Sequence, residues 1–334
     1  LNSTRESCLH PVDVGEFRLP NNLWFAPLAG YSHKTHRDWC RSFGAGLAVT
    51  EMVAVEGLVR GDRRTFEYLD TRGEENVSFQ LFGRGDPARF AAAAKIVMER
   101  TGTRFIDVNF GCPVRKVMRS GSGSALLDRP SVMSDIVKAL KDTGATVGAK
   151  VRSGIKAVNI EATIPALDAA GADLITVHPR LAVQMYTGHA DWSLIALART
   201  MTSRPLCASG DVKSPPDAER VIRETGCDAV MIGRAAIGRP WIFRECIDFF
   251  QTGRYTEPTW EEIRARLVEF ARSYSFADRK PRADGRISII PIRGELINAV
   301  RGFPGAHHLR GAIAQSETLD ELEVLLKDEP VEEK

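Results

Sequence analysis

Eight short apolar runs rich in β-branched residues, at 23–28, 47–50, 77–81, 105–109, 146–151, 174–177, 205–208 and 229–232, recur with stretches of helical periodicity between them. In 87–100, for example, Phe90, Ala93, Ala94 and Val97 share one helical face, and in 131–141 Val132, Ile136, Val137 and Leu140 do the same. Strand and helix alternating in this way require a parallel sheet, because a parallel neighbour is reached only through a crossover. Eight such units predict a closed (β/α)8 TIM barrel over 21–245. A doubly wound open sheet is the competing architecture, but no GxGxxG follows an early strand. Beyond 245 the alternation stops: 259–274, 287–301, 305–315 and 319–326 read as helices, and 278–285 (DRKPRADG) as a polar, basic loop. The expected order is an N-terminal extension (1–20), an α/β barrel (21–245) and a smaller all-helical C-terminal domain (246–334).

The chain has 334 residues, 43% hydrophobic and 26% charged, which suits a large buried core and excludes disordered or low-complexity classes. No apolar run approaches the roughly 18–20 residues of a membrane span, and the first thirty residues, with Glu6, Asp13 and Glu16, lack a signal-type apolar region. A cytoplasmic monomer without a membrane partner is expected. The six cysteines form no CxxC pair and accompany no His cluster at zinc spacing, so reduced thiols and no metal are expected. Net charge is only +2, but 270–315 carries an excess of five positive charges plus His307 and His308, and the remainder a net −6. Two readings fit the basic block: solvated helix faces, or a surface that grips nucleic-acid phosphates.

In a barrel the chemistry sits at the C-terminal strand ends. Those ends carry Pro27–Gly30, Glu51, Gln80, Asn109 with Cys112, Lys150 with Arg152, His178 with Arg180, Ser209, Gly210 and Asp211, and Gly233 with Arg234. The last two groups follow strands seven and eight, where such barrels place a phosphate against glycines and a helix start, so a phosphorylated ligand is expected. Lys150 either faces an anionic ring or pairs with a neighbouring carboxylate. Gln80 and Asn109 either meet the polar edge of a heterocycle or serve structural hydrogen bonds. Cys112, flanked by Gly111 and Pro113, reads as a chemical rather than a packing cysteine, with Arg115, Lys116 and Arg119 expected to depress its pKa.

The segments APLAGYSHKTHR (26–37), SFQLFG (78–83), DVNFGCPVRKVMRSGSGSALL (107–127), AKVRSGI (149–155), TVHPRLAVQMYTGHADW (176–192), ASGDV (208–212) and CDAVMIGRAAIGRPWIF (227–243) together resemble the flavin-dependent dihydrouridine synthases. More loosely, 293–322 resembles that family's C-terminal RNA-binding domain. The resemblance implies FMN at the barrel mouth, NADPH as reductant, and reduction of the C5–C6 double bond of a uridine in folded RNA, a tRNA first and rRNA next. It implies flavin contacts from Pro27, Leu28, Ala29, Gln80, Lys150, His178, Ser209, Gly210, Asp211, Gly233 and Arg234. Cys112 matches the proton donor, with Asn109 orienting the uracil and Lys150 beside the ring. RNA contacts are expected from Arg115, Lys116, Arg152 and Arg180 at the mouth, and from Arg279, Lys280, Arg282, Arg286, Arg293, Arg301 and Arg310 in the tail.

The chain departs from the family pattern at Leu28, at Tyr31-Ser32-His33, at Pro179-Arg180-Leu181-Ala182 and at Asn298-Ala299, which bears on the RNA target rather than the chemistry. Two other readings stay open: an FMN barrel oxidoreductase acting on a free pyrimidine or other small molecule, and an RNA-binding protein with a vestigial flavin site.

Overall fold

Each of the eight apolar runs forms a strand in the computed structural model, which describes residues 7–276, 283–303 and 305–327. They are β1 (Leu23–Phe25), β2 (Leu47–Val49), β3 (Val77–Phe82), β4 (Phe105–Phe110), β5 (Thr146–Gly154), β6 (Leu174–Leu181), β7 (Leu206–Ser209) and β8 (Ala229–Ile232). Every strand pairs in parallel with the next, and β8 returns to β1 through Val230 opposite Leu23, closing the (β/α)8 TIM barrel. Burial on both faces explains the unbroken apolar runs: all six residues of β4 are buried, between the barrel interior and the outer helices.

The helices start and stop where local chemistry dictates. Pro87–Thr101 begins with the Asp86 carboxylate accepting the Arg89 N–H and Pro87 in the first turn, and ends at Gly102 in the left-handed conformation (φ 75°). β5 and β6 run past their expected ends at 151 and 177, carrying Arg152 and Arg180 into strand positions.

Three features differ from the sequence expectation. The N-terminal extension contains a hairpin, Val12–Val14 paired with Phe17–Leu19, whose Val12, Val14 and Leu19 pack against Leu47, Phe105, Leu174 and Ala229 at the lower end of the barrel. Those four residues all begin strands. The 245 boundary cuts a helix, Ile242–Thr252, whose Ile242, Phe243, Cys246 and Phe250 belong to the barrel core, so the helical unit begins with Trp260–Phe276. The helix expected over 287–301 is broken into a short turn, Ile290–Ile292, and Arg293–Ala299, because Pro291 lacks an N–H and disfavours helix before it.

The helical unit has its own core of Ile263, Leu267, Phe270, Ile289, Ile292 and Leu296, into which the barrel inserts Trp39 and Trp241. Trp39 stacks on Phe270 at 4.2 Å between ring centroids. No helix among the described residues is long and apolar enough to cross a membrane.

Candidate active site

In-register pairing brings the polar residues of β3, β4 and β5 together. Gln80 lies opposite Asp107, and Asn109 opposite Lys150. Asp107 and Asn109, two apart on β4, share a face. The Gln80 amide donates to Asp107 Oδ2 at 2.6 Å, and Asn109 Nδ2 donates to Gln80 Oε1 at 2.7 Å. Asn109 Oδ1 in turn accepts the backbone N–H groups of Gly111 at 3.1 Å and Cys112 at 2.8 Å. A continuous relay therefore runs from a buried carboxylate to the backbone of Cys112. Gly148 makes room for it, since a Cβ there would lie 2.5 Å from Asp107 Oδ1.

Burial raises the Asp107 pKa to about 6, against the opposing effects of Gln80 and Lys150. Burial lowers that of Lys150 to about 8, opposed by Asp107. No carboxylate among the described residues lies within ion-pair distance of Lys150, so the pair acts through its field rather than by contact.

Burial also pushes the Cys112 thiol up, with Arg152 and Lys150 only partly opposing it. This corrects the expectation of a depressed thiol. Arg115, Lys116 and Arg119 are exposed on the short helix Arg115–Arg119 and point their charge into solvent rather than at sulfur. The thiol is thus kept protonated, the state an acid needs. Its loop is braced again where Ser124 N–H donates to the Cys112 carbonyl at 3.0 Å.

Across the mouth, a cavity of about 400 Å³ is lined by Pro27, Leu28, Lys150, His178, Tyr186, Ser209, Gly210, Asp211, Lys213, Gly233 and Arg234, with Ala26 and Met231 among its apolar walls. Asp211 is its only acidic lining residue among those described, and it is already paired with Arg180 at 2.7 Å and Arg234 at 3.3 Å. The cavity thus offers cations to an anionic ligand and an apolar wall to a flat ring, which fits a phosphorylated flavin. His178 is held well below its ordinary pKa, first by burial and then by the surrounding cations. Its Nε2 lies 3.2 Å from Arg180, so the neutral ring accepts there and carries its proton on Nδ1. Gly210, at φ 110°, permits this packing, since a Cβ would lie 2.7 Å from the His178 ring.

Of the expected flavin residues, Ala29 is exposed and outside the cavity lining, and Gln80 is buried within the relay. Asn109 likewise directs its amide inward. Arg152 and Arg180, expected on RNA, are corrected: both are buried. Arg152 donates to the carbonyls of Gly111, Leu181 and Met185, and Arg180 to those of Thr187 and Gly188 as well as to Asp211. In the tail, Arg301, Arg310 and His307 line one shallow groove of about 540 Å³. Arg293 is half-buried and donates to the Ser316 carbonyl, Arg286 is exposed near Glu321, and Arg279, Lys280 and Arg282 lie outside the described residues.

Sequence reasoning missed Asp107, whose buried neighbours only the strand register reveals. It also missed Tyr186, an exposed ring at the mouth flanked by Arg152 at 5.4 Å and Arg234 at 5.0 Å.

Comparison with known proteins agrees with this layout. The pattern of the dihydrouridine synthase (Dus) family matches residues 24–333. A protein of Aquifex aeolicus named "Probable tRNA-dihydrouridine synthase" is 35% identical over 303 residues, covering 89% of this chain and 92% of that one. tRNA-dihydrouridine synthase B of Pseudomonas aeruginosa is 38% identical over 262 residues, covering 77% and 79%. Among solved structures, histamine dehydrogenase from Rhizobium sp. 4-9 aligns with a TM-score of 0.57 at 16% identity, over 78% of this chain and 49% of that one. An old yellow enzyme homologue from Zymomonas mobilis aligns with 0.52 at 14%, over 77% and 96%. These two share the barrel fold. On the extent of the family match and of the sequence identity, the chain belongs to the dihydrouridine synthase family.

Proposed function

We propose that the enzyme reduces the C5–C6 double bond of a uridine in folded RNA, with FMN in the mouth cavity and NADPH as the reductant. The single observation that carries this reading is the Cys112 thiol, kept protonated by burial and fixed through its backbone to Asn109, within reach of the Lys150 field. A bound reduced flavin supplies the hydride to C6. Cys112 delivers the proton to C5 from the opposite face of the base. Lys150, Lys213 and Arg234 neutralise the anionic cofactor, and the Pro27–Leu28 wall excludes water from one side of its ring.

The base must leave its stack to reach the mouth, at a cost of about a few kcal/mol. Phosphate contacts from Arg115, Lys116, Arg301 and Arg310 offset it. The names of the Aquifex and Pseudomonas relatives support a tRNA as the substrate, and we place the enzyme in the cytoplasm as a monomer. Mass mapping of dihydrouridine in RNA from a strain lacking the gene tests the reading. The expected result is loss from tRNA, restored by the wild-type gene and not by Cys112→Ala. Loss from rRNA alone would move the substrate, and no loss from either would favour a free pyrimidine.

A further inference from the structure

Nothing in the spacing of the chain suggests a metal, yet the fold gathers His33, His36 and Glu295 so that one ligand atom of each lies within 4.8 Å of the others. Two of these residues come from the barrel and one from the helical unit, 262 positions away. His33 caps the helix Lys34–Ser42, its Nδ1 accepting the His36 N–H at 3.4 Å, which leaves Nε2 aimed at Glu295 Oε1 at 3.0 Å. His36 is wholly buried, and its Nε2 lies 3.2 Å from the Ala236 carbonyl, a group that only accepts. Nε2 is therefore the N–H, and Nδ1 of the neutral ring carries a lone pair.

That lone pair faces Glu295 Oε1 at 3.7 Å and has no hydrogen-bond partner, nor has Glu295 Oε2, although Glu295 is wholly buried. Two acceptors turned toward each other without a donor, in a dry interface, cost free energy unless a cation lies between them. Backbone packing holds the arrangement: a Cβ on Gly238 would lie 2.4 Å from the Glu295 carbonyl, so barrel and helix touch main chain to main chain.

We propose that His33 Nε2, His36 Nδ1 and the Glu295 carboxylate bind a divalent cation of the borderline class, zinc foremost, with water in the fourth position. Two imidazoles and a carboxylate are a zinc donor set. The Ala236 carbonyl orients the His36 ring in the way that hydrogen bonds to the far nitrogen usually orient ligating imidazoles. The ionisation states agree as well: burial holds His33 neutral. In Glu295 the hydrogen bonds from His33 and His36 outweigh the upward push of burial, so it stays an anion. The ion would staple the first helix of the barrel to Arg293–Ala299 of the helical unit, apart from the mouth cavity.

The test uses the full chain purified without chelators, with any affinity tag removed. Elemental analysis is expected to give about one zinc per chain. After stripping, titration with zinc chloride against a competing chelator should show one saturable site that raises the melting temperature. Glu295→Gln should weaken it by at least about 100-fold. Should that variant fold poorly, the zinc K-edge spectrum of the wild-type protein decides: nitrogen and oxygen neighbours including two imidazoles are expected. A sulfur shell, binding unaffected by Glu295→Gln, or no saturable site would overturn the proposal. In the last case a doubly protonated His36 supplies the missing donor.

Discussion

The side-chain oxygen of Asn109 accepts the backbone N–H of Cys112 at 2.8 Å, while its amide donates to Gln80 Oε1 at 2.7 Å. Both ends of Asn109 are thereby engaged with the protein, and its effect on the substrate runs through the position of the thiol. Asn109→Ala should leave flavin content and reduction by NADPH unchanged while slowing uridine reduction by roughly 10–100-fold, the scale of a small misplacement of a reacting group. Separate stopped-flow half-reactions measure this. Equal slowing of both halves would show that Asn109 serves the cofactor instead.

The Cys112 thiol titrates above its ordinary value of 9.0, because burial disfavours the thiolate. Uridine reduction needs the protonated form, so its rate at saturating reductant should stay flat from about pH 6 to about pH 9 and decline above. Cys112→Ala should slow the step by roughly 10²–10⁴-fold with flavin reduction intact. A decline already beginning below pH 8 would mean a depressed thiol and a different proton donor.

Lys150 carries a stability cost that function imposes. Its folded pKa, about 8, lies below the ordinary 10.5, so between those values the unfolded chain binds more protons and stability rises with pH. Lys150→Met should abolish that rise and, at neutral pH, stabilise the flavin-free protein by about 1–3 kcal/mol while sharply weakening flavin binding. Asp107 has the opposite sign. Its folded pKa of about 6 exceeds the ordinary 3.8, so its contribution to stability falls as pH rises through that window. Urea unfolding across the pH range reads both slopes.

Arg301 and Arg310 line one groove on the helical unit, far along the chain from the chemistry. Replacing both with Gln should weaken tRNA binding and reduce the slope of log affinity against log salt by up to about 0.7–0.9 per lost contact. Reduction of the flavin by NADPH should not change. Filter binding at several salt concentrations checks this, and an unaltered slope would return these residues to the status of a solvated face.

The barrel was legible in the chain because parallel strands covered on both faces read as unbroken apolar runs, and all eight lie where the runs do. The strand-end rule also placed Lys150, His178, Ser209, Gly210, Asp211, Gly233 and Arg234 at one cavity. What the sequence concealed were relationships set by register and by distant packing. Gln80 reads as a ligand contact until its pairing with Asp107 is known. Arg152 and Arg180 read as free cations because nothing local reveals that carbonyls of the following loops turn back to receive them. The sign of the Cys112 shift was misread because sequence proximity to three basic residues says nothing about which way they face, and burial outweighs them.

The hairpin at Val12–Val14 and Phe17–Leu19 acts as a stopper. With Val14 and Leu19 wholly buried against the strand starts, and Phe17 at 5.1 Å from the ring of Phe105, no water column threads the barrel axis. Asp107 and Lys150, buried above this plug, can exchange protons with bulk solvent only through the mouth. A ligand seated there would cork the vessel from the other side. The charges of both groups would then be frozen for the length of its stay, whatever the pH outside.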